Sequence, residues 1–287
     1  MRIGVSSYSF QQYINDGRMT QLDVPAKAKE MGFDAIEFID LCRVNGQKMS
    51  HEDMMAYARE IRAEAERVGI EVVAYTIGAS LYQETDEKSA AEVERLCRMV
   101  DVAEALGAKV MRHDACWTLT KTGSGRSFDL MLPTIAKNAQ IVTGYAKERG
   151  IKTCVENHGF IAQDSDRMER LYNAVNDENF GLLVDMGNFL CVDEDPTLAV
   201  SRVSPYAVHV HVKDFMRTDN GGILTRACNH IVGCTAGDGV VPVGKCLAIL
   251  KRAGYDGVVS LEYEGSEDAV SSIAKGKAFL DSVLANM

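Results

Sequence analysis

The 287-residue chain is poor in proline, with five, and in tryptophan, with one. So few prolines exclude a proline-rich linker or stalk, and those present mark turns rather than a hinge. No apolar run approaches the ~20 residues that a membrane-spanning helix needs. The start, MRIGVSSYSF, has neither the roughly 7–15-residue apolar core nor the small-residue cleavage site of a secretion signal. A soluble, cytoplasmic protein is the expectation. Basic charge is also short: 31 Lys and Arg against 41 Asp and Glu leave a formal charge of −10. That balance argues against nucleic-acid binding driven by counterion release and makes a small molecule the expected partner. A cysteine framework is missing too. Cys42, Cys97, Cys116, Cys154, Cys191, Cys228, Cys234 and Cys246 are scattered without tight spacing, so free buried thiols are expected.

What the chain does have is a repeat. Short apolar runs recur at 3–7, 35–39, 70–76, 108–113, 151–156, 181–185, 207–212 and 257–262, with amphipathic segments between them. Strand-like runs alternating with helical patterns read as βα units on a parallel sheet, and eight units are the number that closes a barrel. The stretch 88–108 keeps a helical apolar face until Gly107, and Gly32, Gly69, Gly150 and Gly254 stop similar segments. With no composition break, the expectation is a single-domain (β/α)8 TIM barrel over 1–287, a fold that needs about 250 residues. The stretch 215–241 is expected to be one long irregular loop between the seventh and eighth strands.

In such a barrel, chemistry sits where the strands end at their C-terminal side. The last four runs end with Glu156, Asp185, His211 and Glu262. Three carboxylates and one imidazole at one mouth suit a single divalent cation, Mn²⁺ foremost, with Mg²⁺, Co²⁺ or Zn²⁺ as alternatives. Each also has a plainer reading: Glu156 as the partner of a basic side chain, His211 as a satisfied core histidine, Asp185 as a cap for GNFL. Glu37, His113, Asn157, His158, Asn188, Lys213 and Arg217 fall at or after strand ends and are candidates for holding a substrate. Lys213, Arg217 and Arg226 could meet a phosphate. The Cys228, His230, Cys234 spacing is not that of a zinc knuckle and reads as part of a substrate-covering loop. GDGVVPVG (237–244) lacks a following GK[ST] and reads as a turn into a helix.

The ordered series RIGVSSYSF, GFDAIEF, ALGAKVMR, VENHG, LLVDMGN, HVHVKD and GDGVVPVGKCLAILKRAGYDGVVSLEYEG resembles the xylose-isomerase-like (AP-endonuclease-2-type) barrels over nearly the whole chain. The resemblance implies that Glu156, Asp185, His211 and Glu262 are the metal ligands. It also implies that Glu156 and Glu262 are the catalytic proton carriers on opposite sides of a bound ketose. A divalent-metal-dependent isomerase or epimerase of a ketose, ketose phosphate or polyol ketone follows, working through an enediolate. The alternatives are a dehydratase or lyase of an inosose-like keto-polyol and, more remotely, a non-catalytic sugar-binding protein. Arg217, six residues after His211, matches a substrate-binding arginine of ketose 3-epimerases, whereas Asn188 stands where those enzymes carry histidine. Apurinic endonucleases of the same fold need histidines that VAYTIG, DMGN and AGDG lack. A homodimer or homotetramer is implied by resemblance only.

Overall fold

The computed structural model describes residues 1–43, 47–117 and 127–287. Seven consecutive strands line the first three quarters of the chain: β1 Arg2–Ser6, β2 Ala35–Ile39, β3 Glu71–Ile77, β4 Val110–His113, β5 Lys152–Glu156, β6 Phe180–Asp185 and β7 Ala207–Val212. A small antiparallel sheet follows, made of β8 Asp214–Thr218, β9 Ile223–Leu224 and β10 His230–Cys234. The last strand is β11 Val258–Leu261. The closed barrel has the order β1-β11-β7-β6-β5-β4-β3-β2, every pair being parallel. The sequence runs therefore predict the barrel strands to within one or two residues.

Helices α1 Gln11–Asn15, α2 Val24–Glu30, α3 His51–Val68, α4 Asp86–Leu106, α5 Phe128–Lys147, α6 Ser165–Val175, α7 Pro196–Val203, α8 Val243–Arg252 and α9 Ala269–Ala285 surround it. Their ends follow from local chemistry. The Ser50 and Thr85 hydroxyls accept the backbone N–H of Asp53 and Lys88 at the starts of α3 and α4, satisfying donors that a helix leaves free. Both helices stop at a left-handed glycine, Gly69 at φ 71° and Gly107 at φ 81°, where a side chain would meet its own backbone. Apolar faces of the helices pack on a continuous core that includes Phe33, Leu96, Ile135, Leu171 and Leu250, all at most 2% exposed.

Two expectations need correction. The stretch 215–241 is not irregular: β8 pairs with β10 from Thr218↔His230 to Cys234↔Asp214, and β9 adds through Leu224↔His230. Gly221 and Gly222, at φ 74° and 65°, turn the chain between β8 and β9, which lie on either side of β10. The cysteines carry no disulfide among the described residues, but they are not uniformly buried. Cys228 is exposed, and Cys42 and Cys97 are partly exposed.

Candidate metal centre and cleft

Period-two alternation along each strand decides which residues enter the barrel. Parallel registers put Thr76 beside Arg112, Arg112 beside Cys154 and Asp185 beside His211, so these positions share one face. At the C-terminal mouth that face presents Glu156, Asp185, His211 and Glu262. One donor atom from each lies within 4.8 Å of the other three, and all four residues are buried. His211 Nδ1 is 3.7 Å from Glu156 Oε1, 3.8 Å from Asp185 Oδ2 and 3.5 Å from Glu262 Oε2.

The surroundings hold each donor in place. The Asn157 side chain donates to Asp185 O at 2.8 Å and accepts from Asp185 N at 2.9 Å, riveting the end of β5 to the end of β6. Asp185 Oδ1 accepts from the amides of Gly187 and Asn188, so this residue does cap the GNFL turn, but with one oxygen only. Its Oδ2 and His211 Nδ1 are buried with no hydrogen-bond partner. Leaving such atoms bare costs about 1–3 kcal/mol each. Asn188 Nδ2 donates to Glu156 Oε1 at 2.9 Å, and Arg112 lies 2.5 Å from Glu156 Oε2 and 2.6 Å from Asp114. Lys213 Nζ is 2.7 Å from Glu262 Oε2, 3.1 Å from Glu264 and 3.7 Å from Asp185 Oδ2.

These contacts split the carboxylates. Burial pushes all three toward protonation, but Arg112 and His211 hold Glu156 below its ordinary range, and Lys213 and His211 hold Glu262 well below it. Asp185 goes the other way. Burial, reinforced by Glu156 and Glu262 against the pull of Lys213, pushes it up to about 6. Crowded carboxylates, one of them raised by its neighbours, beside an unpartnered imidazole nitrogen form a donor set that fits a small divalent cation.

Glu37, a sequence candidate for substrate contact, lies deeper, wholly buried. Its Oε2 is 2.5 Å from His209 Nε2, and its Oε1 is 2.7 Å from His211 Nε2 at an angle outside hydrogen-bond geometry. Burial would raise its pKa, yet the two imidazoles pull it far below the carboxylate norm. Glu37 thus backs the nitrogen of His211 opposite the one facing the cluster.

A cavity of ≈ 430 Å³ opens above the cluster, lined by Glu156, His158, Asn188, His211, Lys213 and Glu262 together with Tyr8, Arg112, Asp114, Trp117, Phe160 and Gln163. Of the sequence-predicted substrate contacts, His158, Asn188 and Lys213 therefore meet here. His113 and Arg217 do not. His113 is the next residue after Arg112, so alternation turns it out of the barrel, where it is wholly buried with Nδ1 2.9 Å from Asp114 O. Arg217, on β8, lines a neighbouring cleft of ≈ 580 Å³ with Asp193, Glu194, Asp195 and Lys245. That larger cleft contains no gathered set of donors among the described residues, so chemistry favours the smaller one. Arg226 is engaged elsewhere, donating to Asp164 and to Phe160 O. His158 Nδ1 is 2.9 Å from Asp114 Oδ1, and its ring meets Trp117 edge-on at 5.0 Å. Asp114 outweighs the effect of burial and raises the His158 pKa. Arg112, Asp114, Trp117 and Phe160 were not among the sequence candidates, although the parity of β4 was there to point at Arg112.

Known proteins share this architecture. The structure of the 3-keto-D-glucoside 4-epimerase YcjR from E. coli superposes with a TM-score of 0.74 at 17% identity, covering 98% of this chain and 99% of that one. The IOLI protein with a bound zinc atom superposes with a TM-score of 0.75 at 18% identity, covering 100% and 99%. In sequence, inosose dehydratase 1 of Bacillus cereus is 26% identical over 126 residues. That match spans only 42% of this chain and 42% of the dehydratase. The family described as xylose isomerase-like TIM barrel matches residues 25–283, nearly the whole closed ring and its mouth, and the chain belongs to that family.

Proposed function

We propose that this protein is a divalent-metal-dependent isomerase or epimerase of a ketose, ketose phosphate or related polyol ketone, with Glu156, Asp185, His211 and Glu262 as ligands. The observation that carries the reading is the pair of buried, unpartnered donor atoms, Asp185 Oδ2 and His211 Nδ1, set between the carboxylates of Glu156 and Glu262. The cation, Mn²⁺ first among those considered, would polarise the ketone oxygen and the hydroxyl beside it.

The chain's own groups supply the rest. Glu156, on β5, and Glu262, just past β11, flank β6 and β7, and so approach a molecule in the mouth from two sides. Arg112 and Lys213 keep these two carboxylates ionised, the form that accepts a proton from carbon next to a carbonyl. One takes that proton and later releases it to solvent; the other, after taking up a proton from solvent, returns it to the opposite face of the same carbon in epimerisation or to its neighbour in isomerisation. His158 and Asn188 line the cavity and would meet substrate hydroxyls there. A second reading, dehydration of an inosose-like keto-polyol, draws on the inosose dehydratase likeness and on the Asp114–His158 pair, which could return a proton to a departing hydroxyl.

The test is deuterium uptake from D₂O by a panel of ketoses, ketose phosphates and inososes on the Mn²⁺-loaded protein, followed by NMR. Exchange that disappears in Glu156→Gln and Glu262→Gln supports the reading, and loss of water in place of exchange selects the dehydratase. A panel in which nothing exchanges above the Glu262→Gln control, or a protein that retains and rebinds no divalent metal, refutes the proposal.

A further inference from the structure

The charges and the rim of the cleft narrow the class of substrate. Among the described residues, six carboxylates stand around the cavity, Asp40, Asp114, Glu156, Asp185, Glu262 and Glu264, against two permanently cationic side chains, Arg112 and Lys213. Both cations are spent on those acids: Arg112 on Asp114 and Glu156, Lys213 on Glu262 and Glu264. Both are also enclosed, at 8% and 6% exposure, and the unpartnered Arg112 Nε is itself buried, so neither side chain turns a donor to an incoming anion. Adding a charged His158 and a dipositive ion still leaves more acid than base. The other arginines considered for a phosphate are turned away, Arg217 into the neighbouring cleft and Arg226 onto Asp164 and Phe160 O.

The rim adds a second, independent observation. Two large aromatic side chains in the cavity wall are left open, Trp117 at 44% and Phe160 at 36% exposure. Phe160 holds φ 67°, a conformation that a bulky residue adopts only under constraint. The constraint is visible: its N–H donates to Gln163 Oε1 at 2.5 Å, and its carbonyl accepts from Arg226 at 2.6 Å. Strain kept at a cleft mouth and exposed aromatic faces both suit the C–H face of a polyol ring.

We infer that the cleft takes an uncharged polyol ketone, with neither phosphate nor carboxylate, whose C–H face rests on Trp117 and Phe160. This rests on the metal-dependent proton-transfer reading only for the keto group; the charge argument stands on the described residues of the cleft. An added dianionic phosphate would face an excess of acids, a like-charge penalty that corresponds to about 100-fold in affinity.

The experiment is calorimetric titration of the full chain, Mn²⁺-loaded, with matched pairs: fructose against fructose 6-phosphate, ribulose against ribulose 5-phosphate, and an inosose against 3-dehydroshikimate as the carboxylate case. The expected result is tighter binding of each neutral member, by about 100-fold for the phosphate pairs. Phe160→Gly, which suits the left-handed backbone, should keep or raise the melting temperature yet weaken the neutral ligand roughly 3- to 10-fold. Anionic members binding as well or better, no member binding, or an unchanged dissociation constant in Phe160→Gly would overturn the inference. Because binding is read without turnover, selective neutral binding with no deuterium exchange would sink the proposed reaction and leave this inference standing.

Discussion

Replacing Glu37 by glutamine separates a metal-positioning role from a merely structural one. The substitution keeps the side-chain volume but removes the single negative charge wedged between His209 Nε2 and His211 Nε2, at 2.5 and 2.7 Å. Two consequences follow. Without metal, a wholly buried partner of two imidazoles is lost, and breaking such a pair costs about 3–5 kcal/mol. At about 2 °C per kcal/mol for a chain of this size, the melting temperature should fall by about 6–10 °C. With metal, His211 loses the negative charge 2.7 Å from its Nε2, which enriches its facing nitrogen, Nδ1. Loss of such a backing carboxylate weakens metal affinity about 10–100-fold, or about 1.4–2.7 kcal/mol. Titration calorimetry with Mn²⁺ reads the second effect and a metal-free melt reads the first. A melting temperature that falls while the Mn²⁺ dissociation constant stays within about threefold of the parent would refute the positioning argument and leave Glu37 as a core ion pair.

Two further outcomes are expected. Gly187 has an ordinary φ of −79°, but an added Cβ would stand 2.7 Å from Lys213 O, so Gly187→Ala must push the Asp185 turn away from β7. A loss of about 1–3 kcal/mol in denaturant unfolding, together with weakened Mn²⁺ binding, is the prediction; metal binding unchanged would show that the turn moves without the ligand. His113 is wholly buried and burial holds its pKa below the ordinary 6.5, so the folded chain keeps it neutral while the unfolded chain protonates first as the pH falls. Its contribution is fully present above about pH 6.5 and is lost as the pH drops through the folded value. His113→Leu should therefore lose less stability than the parent between about pH 7.5 and 5.5, and equal losses in chemical denaturation would contradict that sign.

The barrel was legible because its signals are local and repeated. Each apolar run is short, and left-handed glycines such as Gly69 and Gly107 sit where a helix must stop. The gathering of Glu156, Asp185, His211 and Glu262 was legible for the same reason, since strand ends share one mouth whatever the loops do. What failed depended on side-chain parity and on tertiary placement. His113 ends its run and so reads as a mouth residue, although alternation gives Arg112 the inward position beside Glu156. Arg217 has the spacing of a substrate ligand, but β8 pairs with β10 and carries it into the neighbouring cleft. Trp117 and Phe160 carry no spacing rule; only the folded rim, with its one forced phenylalanine backbone, singles them out.

The ring closes through β1 and β11, from Arg2↔Val258 to Val5↔Leu261, with the N-terminal amine 2.6 Å from Asp256. The first and last strands of the ring, more than 250 residues apart in sequence, must therefore meet before the barrel is complete, and pairing over such a separation is the slow kind of contact to form. Glu156, Asp185 and His211 come from three successive strands, β5 to β7, whereas Glu262 lies one residue beyond the closing strand. A partly folded chain can thus assemble three donors and lack the fourth. During refolding, capture of a cation at full strength would be a chemical clock for ring closure, striking only when the first and last strands of the barrel have paired.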